Sequence, residues 1–455
     1  MTTKDLLHKY NVAGPRYTSY PTVPYWQTDL FNVDDWQKTV VESFNESNNT
    51  KGISLYIHLP FCEQLCTFCA CHKHITKRHQ LEIQYINALL KEWELYLQLF
   101  PEKPVLKELH LGGGTPTFFS PEHLHFLLRN LLKKVNLPAE IDFSFEGHPN
   151  NTTKEHLQAL YDLGFTRVSF GVQDYSPKVQ KAINRVQPFE NVEAVTMHAR
   201  DIGYTSISHD LIFGLPFQNV HDIIDTIDKT ISLEPERISF YSYAHVPWIK
   251  GVGQRGFDEN DIPKGSEKRK LYELGKYMLH NLGYREIGMD HFALPGDDLY
   301  KAFEDEAMHR NFMGYTTNTT QLLIGLGMSA ISDSWYGFAQ NEKSLKDYEK
   351  RVSEGRLPIA KGHILTEEDL IIRKHILNIM CHFKTSWQEK HLQFKDLPEV
   401  LDRLERLEKD GLVIITDDTL MVPRHKKAFV RNVCMAFDLK MIRSQPEKQL
   451  FSMTI

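Results

Sequence analysis

Residues 61–74 read FCEQLCTFCACHKH and hold four of the chain's six cysteines, Cys62, Cys66, Cys69 and Cys71, in the spacing C-x3-C-x2-C-x-C. A disulfide pair, a zinc site, an iron–sulfur cluster and a redox switch all suit so tight a group. Two disulfides among four thiols this close would be badly strained. The start of the sequence, MTTKDLLHKYNVAGPRYTSYP, has no apolar signal-like stretch, which points to the cytoplasm, where structural disulfides are rare. Structural zinc draws on two separated ligand pairs, and here only His72 and His74 could complete a set. Iron–sulfur clusters take thiolates, commonly four for a cubane. If Cys62, Cys66 and Cys69 bound three irons, Cys71, two residues beyond Cys69, would make a tight reach for the fourth. An iron left open can ligate a small molecule. Cys381 and Cys434 stand alone in apolar helical patterns and read as small buried hydrophobes.

The run just before the cysteines, SLYIHLP (54–60), reads as a strand. Five more β-rich runs follow: LKELHLG (106–112), IDFSFE (141–146), RVSFGVQ (167–173), SISHDLIFGLP (206–216) and RISFYSYAHVP (237–247). Helical patterns lie between them. In 83–100 the apolar residues Ile86, Leu89, Leu90, Trp93 and Leu97 repeat at the spacing of one helix face. Ser120 before Pro121 predicts a helix start, and Thr152 with Glu155 predicts a capping box, with Gly164 at the far end. Strands alternating with helices predict parallel βαβ units. The chemically distinctive residues then fall at successive strand ends. The cysteines follow the first strand, GGGTPT (112–117) the second and EGHP (146–149) the third; Gln173 closes the fourth, and the fifth carries Asp210. In a barrel of such units these ends form one rim, where active sites sit.

The expected fold is α/β: an open, incomplete (β/α)6 barrel over residues 51–350. An N-terminal arm (1–50) precedes it, with GPRYTSYPT (14–22) extended. A mostly helical, winged-helix-like domain (351–455) follows it. That domain shows helices over 366–383, with Thr366 as N-cap, and 397–411, a hairpin over 412–422, and a last helix from near Arg424. The second helix mixes acidic and basic residues evenly, which favours a packing or lid role over DNA binding. The chain has 455 residues, 41% hydrophobic and 25% charged, with a net charge of -6. That is the balance of a soluble globular protein rather than a general nucleic-acid binder. No run of apolar residues is long enough to span a membrane.

C-x3-C-x-φ-C, with Phe68 as φ, at the end of a first strand resembles the signature of the radical S-adenosylmethionine superfamily. With GPRYTSYPT, the further Cys71, GGGTPT, FGVQD, LIFGLP, IGMDHFA and HRNFMGYTT, the chain is similar to the oxygen-independent coproporphyrinogen III oxidases, or coproporphyrinogen dehydrogenases, from about residue 8 to RNVCMAFD (431–438). The resemblance implies an oxidoreductase of haem biosynthesis. It would convert two propionates of coproporphyrinogen III to vinyl groups, giving protoporphyrinogen IX. The agent would be a 5′-deoxyadenosyl radical, formed when a reduced 4Fe–4S cluster cleaves S-adenosylmethionine.

The resemblance also implies roles. Cys62, Cys66 and Cys69 would hold the one cluster, and Cys71 would be catalytic. Two S-adenosylmethionine molecules are implied. Tyr56, Gly112 and Glu146 would hold the first; glycines there also leave backbone groups bare. Phe68, Gly113, Gly114, Thr115, Gln173, Arg185, Asp210, Ala244 and Ile331 would hold the second. Arg16, His309, Arg310 and Asn311 are candidates for the substrate's propionates. The implied partners are coproporphyrinogen III and an unidentified electron donor, with neither nucleic acid nor membrane, and a monomer in the cytoplasm. One departure is EGHP, where the family often has Asp or Asn at the place of His148. Two related activities compete. Haem-binding chaperones generally lack the fourth cysteine and the GPRYTSYPT arm. GMDHFA and HRNFMGYTT argue against haem-degrading radical methyltransferases.

Overall fold

The structure, a computed structural model, describes residues 3–246, 254, 257–444 and 450–454. The six expected strands are β1 (Ile53–Leu59), β2 (Leu106–Gly113), β3 (Asp142–Gly147), β4 (Phe165–Gln173), β5 (Ser206–Phe213) and β6 (Arg237–Ser242). They pair in sequence order, all parallel. Pro247, the end of the sixth predicted run, lies outside the described residues. The sheet continues at both ends to 12 strands. Beyond β6 come His291–Ala293 and Arg285–Glu286, both antiparallel. Beyond β1 comes a seventh parallel strand, Leu322–Leu326, followed by antiparallel Ile331–Asp333, Gly337–Asn341 and Ile359–Ile364. The two edge strands do not pair, so the barrel stays open.

Successive side chains on a strand point to opposite faces, and here the two faces differ in chemistry. The outward face of β1 to β3 presents Leu55, Ile57, Leu59, Leu109, Leu111, Phe143 and Phe145, all fully buried. They pack on the apolar stripes of helices Leu81–Leu97 and Pro121–Leu132. The inward face is polar, and its charges are met by partners. Glu108 accepts from the hydroxyls of Ser54 and Thr316, each at 2.6 Å. Asp142 accepts from the Asn318 amide at 2.9 Å and lies 2.9 Å from Arg167 Nε. Arg237 Nε lies 2.8 Å from both oxygens of Asp297, which also accepts from Ser206 Oγ at 2.9 Å.

Packing draws the domain boundaries elsewhere than the sequence predicts. Helix Val33–Ser47 buries Trp36, Val40 and Phe44, at i, i+4 spacing, in the core of the sheet, so residues 33–47 are no arm. Strand Ile359–Ile364 bonds to Gly337–Asn341, so a division at 350 would cut the sheet. Ser120 caps its helix as expected, accepting from the His123 N–H at 3.2 Å. The predicted Thr152–Glu155 box is displaced by one residue. Thr153 is the cap and His156 closes the box, because the Thr152 hydroxyl is turned back to the His148 carbonyl at 3.0 Å.

The C-terminal unit has Thr366 capping helix Glu367–His382, then helix Leu397–Lys409. The hairpin strands Ile414–Ile415 and Thr419–Met421 gain a third strand, Lys384–Ser386. Its core takes in Leu6, Tyr17 and Tyr20 from the N-terminus. Buried Arg431 fastens this crossing. Its Nε bonds the Pro15 carbonyl and its Nη1 the Met453 carbonyl, both at 2.8 Å, and Nη2 reaches the Gly14 carbonyl. Arg431→Ala strands these buried carbonyls. It should destabilise the protein by roughly 2–4 kcal/mol in urea unfolding and expose the arm to proteolysis. A loss below about 0.5 kcal/mol with unchanged proteolysis would show that the arginine is dispensable.

Candidate active site

The cysteine loop leaves and returns at one point on the rim, because Phe61–Cys62 and His74–Ile75 pair in parallel. From inside the barrel, His58 Nε2 lies 2.9 Å from the His72 carbonyl, and Tyr56 Oη 3.0 Å from His58 Nδ1. Burial pushes the His58 pKa down to about 4, so the imidazole is neutral. A carbonyl can only accept, so Nε2 carries the proton and Nδ1 accepts from Tyr56. On the outer flank the Thr67 N–H bonds the Ile183 carbonyl at 2.9 Å, and the Asn184 amide bonds the Leu65 carbonyl at 2.7 Å. Phe68 packs there with Ile183 and Leu215. The loop is thus clamped between β1 and the segment after helix Pro177–Ala182.

All four cysteines of the loop are free thiols. Cys62 Sγ lies 3.3 Å from Thr115 Oγ1, and burial pushes its pKa up to about 11. Cys66 Sγ accepts from Arg185 Nη1 at 3.8 Å. The neighbouring Cys71 thiol lowers the Cys69 pKa, and Cys69 in turn raises that of Cys71. Among the described residues no three Cys, His, Asp or Glu side chains close on the point a single ion would occupy. A cubane asks for something else: its irons are ligated one by one, so its thiolates stand further apart. Three loop thiols of soft donor character, held by a clamped backbone, fit such a cluster.

The glycines after β2 have separate reasons. A Cβ on Gly112 would stand 3.0 Å from Tyr56 Cε2 and 3.1 Å from Glu146 Oε1. At Gly113, whose φ is +117°, it would meet His58 Nδ1 at 2.7 Å, and at Gly114 the Pro60 carbonyl at 2.5 Å. Gly113 and Gly114 therefore let β2 close on β1, while Gly112 keeps open the space between Tyr56 and Glu146. Glu146 accepts from the Gly113 N–H at 3.3 Å, and its half-exposed carboxylate is 3.6 Å from His110 Nε2. His148, the departure from the family pattern, is half-buried and held neutral, its pKa pushed down by burial and then by Arg185. An acceptor and a bare backbone side by side suit the amino-acid end of a zwitterionic ligand.

Asp210 accepts from Ser169 Oγ at 2.8 Å, and burial raises its pKa to about 6. Gln173 is buried in a left-handed conformation, φ 69°. Arg185 is 8% exposed, so it is no surface arginine. Its Nη2 donates to the Gly171 carbonyl at 2.6 Å, and its buried Nε has no protein partner. An orphaned guanidinium N–H beside the cysteine loop leaves room for an anionic or carbonyl group of a ligand. The Ala244 carbonyl accepts from Gln254 at 2.9 Å, and Ile331 opens its strand beside Phe312, Phe338 and Trp26.

Beneath the rim a polar cavity of about 150 Å³ runs into the barrel, lined by Tyr56's neighbour His110 with Glu146, Ser169, Asp210, Tyr241 and His291. Of the four propionate candidates, two come together. Arg16 pairs with Asp290 and sits over the Tyr241 ring. Arg310 bonds the carbonyls of Tyr17 and Arg16, lies 4.3 Å over Tyr315, and keeps a buried Nη1 without a partner. Asn311 is taken up by its own turn, accepting from the Met313 N–H at 2.8 Å. Half-buried His309 is neutral, its pKa pushed down to about 4 by burial. Sequence reasoning passed over His58, His110, Ser169 and Tyr241. Their signal was the i, i+2 repetition of polar residues along β1 to β6. It also missed Lys268, which donates to the Tyr243 carbonyl at 2.6 Å and is pulled down to about 8 by burial.

Comparison with known proteins agrees with this geometry. The family model of the Radical SAM superfamily matches residues 56–230. The oxygen-independent coproporphyrinogen III oxidase of Helicobacter pylori strain J99 is 38% identical, covering 94% of this chain and 95% of its own. The protein of the same name from Escherichia coli K12 is 37% identical over 99% of this chain and 98% of its own. A solved coproporphyrinogen III oxidase from Escherichia coli, described as a radical SAM enzyme, superposes with a TM-score of 0.87 at 36% identity, covering 93% of this chain and 97% of its own. Full-length similarity at this level makes this chain a member of the family of oxygen-independent coproporphyrinogen III oxidases, within the radical SAM superfamily.

Proposed function

We propose that the chain decarboxylates two propionates of coproporphyrinogen III oxidatively and without oxygen, giving protoporphyrinogen IX. The observation that carries this reading is the clamped three-thiol loop at the mouth of a polar barrel in a chain that matches this family over its whole length. The family uses a 4Fe–4S cluster and S-adenosylmethionine, which together supply a carbon radical able to take hydrogen from the β-carbon of a propionate.

The chain's own residues hold and orient. Cys62, Cys66 and Cys69 are the thiols that would ligate the cluster. The Cys71 thiol neighbours Cys69 in the loop and would tune the site rather than ligate it. Gly112 gives the ligand room, and Glu146 offers its carboxylate to an amino group or ribose hydroxyl. A second S-adenosylmethionine, between Gln173, Arg185 and Asp210, belongs to the same reading; the Arg185 Nε–H would find a carboxylate there. Arg310 Nη1, and Arg16 once it exchanges Asp290 for substrate, would take propionates at the rim. No helix among the described residues is long and apolar enough to cross a membrane. We assign the chain to the cytoplasm as a monomer that draws its electron from a separate donor.

Anaerobic reconstitution should give about four irons per chain. Cys62→Ser, Cys66→Ser and Cys69→Ser should each lose the cluster and the vinyl product. Cys71→Ser should keep its iron and turn over more slowly. Full iron and activity in any of the first three would remove that residue from the ligand set, and loss of iron in the last would make Cys71 a ligand.

Arg185→Ala tests the second ligand. It should keep the cluster and bind one S-adenosylmethionine in anaerobic equilibrium dialysis, where the parent binds two, and it should form no vinyl product. A parent that binds one would reduce Gln173, Arg185 and Asp210 to rim structure.

A further inference from the structure

β4 bulges just before it ends. Gly171 lies opposite Asp210 and Gln173 opposite Leu211, so Val172 is an extra residue on this strand. Gln173 follows with φ 69°, in the left-handed region, and the Asp174 N–H turns back to the Val172 carbonyl at 2.9 Å. A residue with a Cβ takes up such a backbone at a cost, and keeps it only where the surroundings impose it. The bend places two side chains together. A Cβ on Gly171 would stand 2.7 Å from Gln173 Nε2 and 2.9 Å from Arg185 Nη2, so both flank one stretch of bare backbone. The Gln173 side-chain amide makes no hydrogen bond among the described residues, and buried Arg185 Nε has no partner either.

Four other buried polar residues hold this bend: Asp174, Gln180, Gln187 and Gln218. The Asp174 carboxylate accepts from the Ser176 N–H at 2.6 Å and from Gln218 Nε2 at 2.7 Å. Gln218 belongs to the loop after β5. Its Nε2 also donates to the Ile212 carbonyl at 2.9 Å, and its Oε1 accepts from the N–H groups of Gly214 and Leu215 at 2.6 and 3.2 Å. On the other side, the Asp174 carbonyl accepts from Gln180 Nε2 at 2.9 Å. Gln180 bonds twice to the Gln187 backbone, at 2.7 and 2.9 Å, and its own carbonyl accepts from the Arg185 N–H at 2.9 Å. Asp174 therefore ties the ends of β4 and β5 together through its side chain, and reaches the Arg185 backbone through its carbonyl. A fully buried carboxylate without a cation is costly, and burial raises this one's pKa to about 7. Plain strand packing does not call for a carboxylate here.

We propose that Asp174 is a positioning residue: through Gln218 and Gln180 it imposes the left-handed turn that presents the Gln173 amide and the Arg185 guanidinium to a ligand. The proposal rests on the reading of a second S-adenosylmethionine between Gln173, Arg185 and Asp210. Asp174 acts through these neighbours and not by touching the ligand. The groups it presents are a neutral amide and a cation, which suit the carboxylate and hydroxyls of such a ligand.

Three variants test the bond between Asp174 and Gln218. Asp174→Asn sets an amide donor against the Ser176 N–H or Gln218 Nε2. Gln218→Glu sets a carboxylate against Asp174. Asp174→Asn/Gln218→Glu forms the bond again with donor and acceptor exchanged. Each is reconstituted with iron and sulfide and compared with the parent holoenzyme. Anaerobic equilibrium dialysis counts bound S-adenosylmethionine, hydrogen–deuterium exchange over residues 171–176 is followed before ligand is added, and thermal unfolding gives Tm. Each single variant should keep its cluster and the first S-adenosylmethionine, bind the second about tenfold or more weakly, and exchange faster over 171–176. The double variant should return the second affinity to within about threefold of the parent, whatever its Tm. A parent that binds one S-adenosylmethionine overturns the two-ligand reading, and the proposal with it. A parent that binds two, beside an Asp174→Asn variant that binds both as tightly, overturns the positioning role alone. So does loss of both ligands in step with Tm, or a double variant no better than the weaker single. Where Asp174→Asn does not fold, Gln218→Glu breaks the same bond from its other end, and unchanged binding there overturns the role equally.

Discussion

The structure depends on a parallel sheet that is polar on its inner face. Parallel sheets are ordinarily apolar on both sides, and a buried unpaired charge costs several kcal/mol. This chain meets the constraint by register. Tyr56 stands beside His110, His110 beside Ser144, Glu146 beside Ser169, and Asp210 beside Ser239 on the neighbouring strands. Deeper in, the Glu108–Ser54–Thr316, Asp142–Arg167–Asn318 and Arg237–Asp297–Ser206 groups satisfy each charge. Two of those partners, Thr316 and Asn318, come from the segment that leads into strand Leu322–Leu326, so that segment is locked to the barrel floor by the same requirement.

A barrel interior of this kind can carry chemistry at its mouth because the strands below are already fixed. His58 is both an inner-face residue and the clamp on the cysteine loop. Gly112 opens beside Tyr56 and Glu146, which are inner-face residues one layer from the rim. Loop, ligand space and cavity therefore share one rigid framework, the arrangement that oriented radical chemistry needs if side reactions are to be excluded. The N-terminal arm adds the cover. Arg431 binds it to the C-terminal core, and Arg16 extends from it to Asp290 over Tyr241 at the cavity wall.

Much of this was legible in the sequence where chemistry and strand order coincide. The six strands, the rim positions of the cysteines, Gly112, Glu146 and Asp210, and the Ser120 and Thr366 caps follow from local patterns. Other features depend on distant partners and were not legible. The run of Leu322–Leu326 is too short and uniformly apolar to declare its place beside β1. Helix Val33–Ser47 carries a core stripe, yet only the three-dimensional packing shows that its core is the barrel's. Without the family resemblance Arg185 would read as a surface residue, because nothing local reveals that the cysteine loop folds over it. Thr152 and Thr153 are equally good caps in sequence; the turn at His148 decides between them. The polar inner face lay in plain view as an i, i+2 pattern, overlooked because serines and histidines in a strand ordinarily suggest exposure to water.

The most direct test of the account is a single anaerobic turnover measurement. The reconstituted protein is given S-adenosylmethionine, a reductant and coproporphyrinogen III, and in parallel haem, and the tetrapyrrole products and carbon dioxide are quantified. The account predicts protoporphyrinogen IX with two carbon dioxide molecules released per tetrapyrrole, and haem returned unbound and intact. Stable capture of haem, or opening of its ring, with coproporphyrinogen III left unchanged would contradict it.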